Sequence, residues 1–153
     1  MAWGSTLPAA MDALLQRFAT APELDGVKVY DGPVIDGSSA LEALTVGYAG
    51  EDEPTAADGQ SAREGLGADR SHEEYTVRCA IEVLNGSDDA PAARRRAFEL
   101  LGVVGGVLAA DPRLGGAVMS AQVGTWTLAQ AQTPQGAFVT LPFEIDVDAY
   151  TRR

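Results

Sequence analysis

The sequence predicts an α+β fold in which two helices pack on a mainly antiparallel sheet that ends in a long C-terminal hairpin. Apolar residues recur at helical spacing in residues 7–18 and 97–108, as on the buried face of a helix. Apolar and polar side chains alternate in residues 75–83, as in a strand with one buried face. A further alternating segment follows a turn at residues 133–136, which predicts the hairpin.

Length, charge and cysteine content limit the class of protein. The chain has 153 residues, so a single domain over residues 1–153 is expected. Its formal net charge of −11 argues against a surface that grips nucleic acid, because that affinity comes from neutralising phosphates. Cys79 is the only cysteine, which predicts a reduced core thiol and no disulfide framework. No secretion signal or membrane span is expected.

The first 48 residues are predicted to form a helix and two strands. Ser5 or Thr6 can cap a helix that ends before Pro22. Residues 27–30 and 44–48 are predicted strands. The glycines and aspartates in VKVYDGPVIDG are interpreted as a turn after the first strand rather than a ligand-binding loop, because Gly and Pro end a strand.

Residues 49–71 are predicted to form a long loop or arm. They contain four glycines and a proline without apolar periodicity, and a loop of this length in a compact domain is usually functional or disordered. We expect the arm to be mobile in an isolated subunit and ordered by a neighbour, because it has too few apolar groups to offset the entropy of ordering.

The second helix is predicted to begin after Asp88 or Asp89 and to end at residues 111–112. Its three interior glycines each cost roughly 0.5 to 1 kcal/mol relative to alanine, so we expect a sheet or a neighbouring subunit to approach them closely. The arginines at 94–96 fan around the helix axis and are interpreted as solvated or paired rather than as a nucleic-acid patch.

The terminal hairpin is predicted from its turn. Thr133 and Gly136 flank Pro and Gln, as a type I turn prefers. The resulting register places Leu128 opposite Leu141, Trp126 opposite Phe143 and Gly124 opposite Ile145, with the aromatic pair on the buried face. The opposite face then carries three carboxylates in succession, Glu144, Asp146 and Asp148.

No catalytic, metal or cofactor site is predicted, and no enzymatic activity. His72 is the only histidine, and adjacent strand residues alternate faces, so His72 with Glu73 and Glu74 is interpreted as a polar cluster at a strand edge rather than a metal site. Cys79 lies in an apolar row, where a thiol stays neutral and inert.

The order and spacing of these segments resemble the tail terminator, or tail completion, proteins of tailed phages with actinobacterial hosts. The resemblance covers almost the whole chain, through EALTVGYAG, GQSAREGLGADRSHEEYTVRCAIEV, ARRRAFELLGVVGGVLAADPRLGG and AQVGTWTLAQAQTPQGAFVTLPFEIDV. It implies an α/β subunit of a six-membered ring that caps the finished tail tube and meets the head connector or head-closure protein. It implies no catalytic residues.

The resemblance also implies a location and partners. The protein would assemble in the host cytoplasm and lie in the virion at the head–tail junction. Its partners would be itself, as a homohexamer, the tail tube protein and the connector. DNA would be met only in transit, and no membrane is involved.

The ring hypothesis suggests which residues line the bore and which contact a neighbouring subunit or the tube. A bore that releases DNA needs few cations, so the hairpin row and a second acidic group in the arm are candidates to line it, the hairpin row being the better one. Residues in the arm and on the second helix are candidates for contact with a neighbouring subunit or the tube. The second acidic group is Glu51, Asp52 and Glu53, and the contact candidates are Arg63, Leu66, Gly105 and Gly106.

Two other classes of function stay open. One is another neck or head-closure protein, or a generic interaction module, which is distinguished by whether it caps a tube or a portal. The other is a small hydrolase that uses His72 with a carboxylate, for which phage assembly by a His72→Ala variant is the discriminating test.

Overall fold

A computed structural model describes residues 4–33, 41–50, 54–63 and 70–152. Its two helices are α1 (Leu7–Thr20) and α2 (Ala90–Ala110). Its strands are β1 (Lys28–Asp31), β2 (Glu42–Val46), β3 (Ala57–Arg63), β4 (Arg70–Asn85), β5 (Ser120–Trp126), β6 (Ala129–Thr133) and β7 (Gly136–Arg152). The predicted α+β class is confirmed. Within the described ranges, neither helix is long and apolar enough to cross a membrane.

The described strands form one sheet around the antiparallel pair β4 and β7. These two strands pair along their whole length, from Arg70 opposite Arg152 to Asn85 opposite Ala137. On the far side of β4, β3 pairs with its first half and β2 with its second half, and β1 adds to β2 in parallel. On the far side of β7, β6 pairs with its first half and β5 with its second half.

One end of the sheet is therefore an antiparallel unit of β3, the first half of β4, the second half of β7 and β5. We call this unit the four-stranded half-sheet. In the part of the chain that the structure describes, neither β3 nor β5 has a second strand on its outer side. Among the described strands, β3 and β5 are thus the two edges of the half-sheet.

The hydrophobic core lies between the helices and one face of the β4–β7 pair, which we call the covered face. Alternate residues of each strand point into it, as the sequence predicted for β4. Each helix buries three side chains completely: Ala10, Leu14 and Phe18 of α1, and Leu100, Val104 and Leu108 of α2. They belong to one core cluster with the strand residues Tyr75, Val77, Cys79, Ile81, Val139, Leu141, Phe143, Ile145 and Val147. The other face of the pair, the open face, carries the intervening residues.

Both helices begin near the predicted positions, but with different caps. Asp89 precedes α2, and its carboxylate accepts a hydrogen bond from the Ala92 amide at 3.0 Å, so that predicted cap is confirmed. Thr6 occupies the equivalent position in α1, but its hydroxyl makes no capping bond to the helix. It bonds instead to Glu73 of β4, at 2.8 Å. A carboxylate from the sheet, rather than a side chain of the helix itself, therefore accepts hydrogen bonds at the start of α1.

The prediction of a structureless loop over residues 49–71 needs correction. Ala57–Arg63 is a strand paired with β4, and β4 itself begins at Arg70. All of these β3 side chains except Ala57 are exposed, so the strand has no apolar alternation for sequence reasoning to detect. Backbone pairing with β4 supplies its order. The role of this segment as an arm that a neighbour orders stays a prediction.

The hairpin register is confirmed near the turn and wrong beyond it. Thr133 pairs with Gly136 and Trp126 with Phe143, but residues 127–128 separate β5 from β6. The register then shifts, so that Val123, not Gly124, lies opposite Ile145. The physical reason is an irregularity in β5 between Val123 and Trp126, as at a β-bulge. Within it, the Asp146 carboxylate lies where a Cβ of Gly124 would be. Only glycine permits this irregularity without displacing that carboxylate.

Two further predictions about packing are corrected. Trp126 lies on the covered face, as predicted, because it pairs with Phe143 and contacts α2. It is 53% exposed, however, so it lies at the rim of the core and not within it. Its ring packs edge-on against Phe98 of α2, with centroids 5.1 Å apart. On α2, no described atom outside the helix approaches within 4 Å of a Cβ built at Gly102, Gly105 or Gly106. The sheet does not approach these glycines, and contact with a neighbouring subunit stays a prediction.

Candidate functional site: the acidic open face

The open face of the half-sheet collects carboxylates from three strands. Alternation along β7 turns the predicted row of Glu144, Asp146 and Asp148 away from the core, between the buried Phe143, Ile145, Val147 and Ala149. Pairing with β4 places Glu74 opposite Asp148. Pairing with β3 places Asp58 opposite Thr76 on the same face. Five carboxylates therefore share one side of four neighbouring strands, with both helices on the other side.

The row is held by hydrogen bonds to β4. The Thr76 hydroxyl donates to Asp146 Oδ1 at 3.1 Å, and His72 Nε2 lies 2.9 Å from Asp148 Oδ1. Arg78, opposite Glu144 in the register, forms an ion pair with Asp58 at 3.2 Å. These contacts orient the carboxylates, and Arg78 compensates only part of their charge.

A shallow groove of about 580 Å³ runs across this face. Among the described residues, its lining contains no lysine or arginine, and its charged groups are Asp58, Glu74, Asp146 and Asp148. An anion such as a phosphate finds no cationic partner in this lining. The groove is therefore suited to attract cations, and a polyanion that meets this surface would be released from it.

His72 lies at the end of the acidic row. Its Nε2 is 3.7 Å from Glu74 Oε1 as well as 2.9 Å from Asp148 Oδ1. Its ring lies against that of Tyr150 at a centroid distance of 5.2 Å, and the Arg70 guanidinium lies 4.6 Å from the Tyr150 ring centroid. As predicted, His72 and Glu73 point to opposite faces of β4, but Glu74, two residues after His72, returns to the same face as the histidine. The two-residue spacing of His72 and Glu74 on a strand could have predicted from sequence that they share a face.

Glu73 points the opposite way, into the covered face, and is 5% exposed. Its carboxylate accepts hydrogen bonds from the Ser5 hydroxyl, the Thr6 amide at 2.9 Å and the Thr6 hydroxyl. The Tyr75 hydroxyl bonds to the same threonine at 2.8 Å. Burial raises the pKa of Tyr75, against the Thr6 hydrogen bond, and the Glu73 charge adds to the rise. Glu73 thus anchors α1 and does not belong to the open face.

The remaining predicted residues do not join this site. Glu51, Asp52, Glu53 and Leu66 lie outside the described residues. Arg63 is exposed at the end of β3. Gly106 is exposed on α2, and Gly105 is partly buried. The open face therefore contains the hairpin row but none of the predicted contact residues on α2.

The three successive arginines lie on α2, on the helix side of the sheet. Arg94 donates to Gln130 at 2.7 Å, and Arg96 makes a bidentate pair with Glu42 at 2.6 and 3.0 Å. Those hydrogen bonds raise the pKa of Arg96. The interpretation as paired arginines is confirmed for these two residues, and they are remote from the acidic row.

Cys79 is completely buried in the core, as predicted. Desolvation raises the pKa of its thiol to about 12. Because the thiolate is the reactive form, the thiol of the folded protein is inert.

Comparisons with known proteins identify a fold and no family. No family model matches the chain, and no curated protein matches it. Among solved structures, it is similar to a chain from the virion of a native gene transfer agent (GTA) particle, with a TM-score of 0.55 and 11% sequence identity. The match covers 95% of this chain and 98% of that one. The two chains share a fold over nearly their whole length.

Proposed function

We propose that the protein is a virion structural subunit that forms a ring capping a phage-like tail tube. The ring joins the tube to the head connector, and DNA passes through its bore. The observation that carries this proposal is the half-sheet, whose acidic face lies opposite the helices and whose outermost strands, β3 and β5, have no further partner among the described strands. The shared fold with a chain of a GTA virion supports the virion context.

The open edges suit a ring built by strand pairing. The strands β3, β4, β7 and β5 alternate in direction across the half-sheet, so its outermost strands run antiparallel to each other. Rotation about an axis along the strands preserves strand direction. The β5 edge of one subunit would then meet the β3 edge of the next in antiparallel pairing. Exposed strand edges readily pair with another chain in this way.

The helices decide which face of such a ring turns inward. Both helices cover one face of the sheet, and their bulk fits the outer circumference. The open face then lines the bore with Glu144, Asp146 and Asp148 from each subunit. DNA phosphates are repelled by these carboxylates. Among the described side chains, two arginines share the open face, but Arg78 pairs with Asp58 and the Arg70 guanidinium lies over the Tyr150 ring. Arg94 and Arg96 are on the outer side in this arrangement.

Electrostatics give this arrangement a distinctive salt dependence. Like charges gathered in a bore oppose assembly, and salt weakens that repulsion. Strand pairing and apolar contacts must therefore hold the ring. Ring formation is expected to strengthen between about 0.1 M and about 1 M salt, where the Debye length falls from about 10 Å to about 3 Å.

The test measures assembly against salt for two matched variants. Glu144→Gln with Asp146→Asn removes two charges from the open face. Asp12→Asn with Asp25→Asn removes two exposed charges from elsewhere on the chain. Mass photometry should show that only the first pair reduces the salt requirement, and electron microscopy should show closed rings, with six subunits expected.

Three results would contradict the proposal. They are the absence of rings at any salt concentration, a ring map with the acidic row on its outer wall, and a bore lined by the arginines at 94–96. Rings that bind a portal but not a tail tube would favour another neck or head-closure protein instead.

A further inference from the structure

We propose that His72, Glu74 and Asp148 form a binding site for a divalent transition metal of the zinc type. This inference goes beyond the proposed ring, because the site lies within one subunit and needs no neighbour. One ligand atom from each of the three side chains lies within 4.8 Å of the other two. Two strands supply them, since His72 and Glu74 are on β4 and Asp148 is on β7.

The distances fit a small ion. Ligands placed about 2.0 to 2.2 Å from a tetrahedral zinc ion lie roughly 3.3 to 3.6 Å from one another. His72 Nε2 is 2.9 Å from Asp148 Oδ1 and 3.7 Å from Glu74 Oε1, which are on either side of that range. Glu74 must move its carboxylate inward to complete the set. Its side chain is half-exposed, so this movement is unobstructed by the core.

Neighbouring groups orient the three ligands. The His72 ring packs on Tyr150, and its Nε2 faces the two carboxylates. Gln60 donates to Glu74 Oε2 at 3.4 Å, which leaves Oε1 directed at the histidine. Partners of this kind fix ligand orientation in protein metal sites. The backbone pairing of Glu74 with Asp148 sets the separation of the two carboxylates.

The donor set selects the class of ion. Imidazole nitrogen favours zinc and its neighbours over magnesium and calcium, which prefer all-oxygen sites. Glu74 and Asp148 also line the acidic groove, which provides an entry path and leaves coordination positions for water. The buried Cys79 thiol, with its pKa raised to about 12, cannot compete for the ion.

The experiment uses the full chain without a purification tag, titrated with Zn²⁺ under conditions where it is monomeric. Because His72 is the only histidine, its imidazole nitrogens are assigned in an NMR spectrum without ambiguity. One equivalent of Zn²⁺ should shift the Nε2 resonance. By calorimetry, His72→Ala, Glu74→Gln and Asp148→Asn should each weaken binding at least about tenfold, as loss of even a supporting partner does.

Asp146→Asn is the matched control, because it removes the same charge from the same row but its carboxylate contacts Thr76 and not His72. Its Zn²⁺ affinity should equal that of the unchanged protein. A stationary Nε2 resonance, or equal weakening by Asp146→Asn and Asp148→Asn, would overturn the site. Failure here would leave ring assembly untouched, since that assay follows subunit association rather than metal affinity.

Discussion

The covered and open faces of the β4–β7 pair differ completely in chemistry although they share the same two backbones. Val77 and Ile145 on the covered face are 0% exposed. One residue along each strand, Thr76 and Asp146 lie on the open face and bond to each other at 3.1 Å. The covered face holds the fold together, whereas the open face contributes little burial and can carry charge. Substitutions one position apart should therefore have separate consequences, for stability on one face and for binding on the other.

The largest effect is expected for Ile145→Ala. Truncating a fully buried isoleucine removes apolar contacts and leaves a cavity, which costs about 2 to 5 kcal/mol. The control is Glu144→Gln on the adjacent open face, where a surface change stays within about 0.5 kcal/mol. Denaturant unfolding of both variants measures the difference. Equal losses would mean that the two faces are not energetically distinct.

A smaller effect is expected for Glu73→Ala, which tests the exception on the covered face. This change leaves the part-buried Thr6 amide without its carboxylate partner. An unsatisfied buried group costs about 1 to 3 kcal/mol, and a loss near the lower end is expected for partial burial. Hydrogen exchange should accelerate in the first turn of α1. Glu74→Ala, one residue along on the open face, is the control and should leave that exchange rate unchanged. Unaltered exchange in both variants would show that Glu73 does not anchor the helix.

The smallest effect concerns an ion pair that belongs to neither face. Arg17 Nε donates to Asp111 at 2.9 Å and joins α1 to the end of α2. The Arg17 hydrogen bonds, helped by the Gly115 amide, lower the pKa of Asp111. A lowered carboxyl pKa stabilises the fold above the unfolded value of about 3.9, and this contribution disappears as the pH falls through the lower folded value.

Asp111→Asn should therefore be less stable than the unchanged protein near neutral pH. The gap should close as the pH falls below about 4. Thermal unfolding as a function of pH measures it. A gap that persists at the lowest accessible pH would assign the effect to lost packing or hydrogen bonding rather than to charge.

Elements with one apolar and one polar face were predictable from the sequence, and elements without an apolar face were not. β4 and β7 were predictable because one face of each is apolar, and α2 because its buried residues recur at helical spacing. β3 was not, because nearly all its side chains are exposed and its order comes from backbone pairing. The irregularity near Gly124 lies beside a carboxylate of the partner strand, and no local pattern reveals which residue that strand places there.

The candidate site was likewise predictable only in part. The acidic row follows from alternation along a single strand. The cluster at His72 requires the register between β4 and β7, which joins His72 to Asp148 across 76 positions of sequence. A pattern confined to a short window cannot determine such a pairing. The half-sheet edges also became visible only when all the strand partners were known.

The pairing of Arg70 with Arg152 has a consequence for how quickly the protein folds. The β6–β7 turn and α2 involve neighbours in sequence, so both can form early. The β4–β7 ladder must close the chain over distances that include all of α2, β5 and β6. Such non-local contacts slow folding towards the millisecond-to-second range. The acidic open face is therefore expected to form after the local turn and helix.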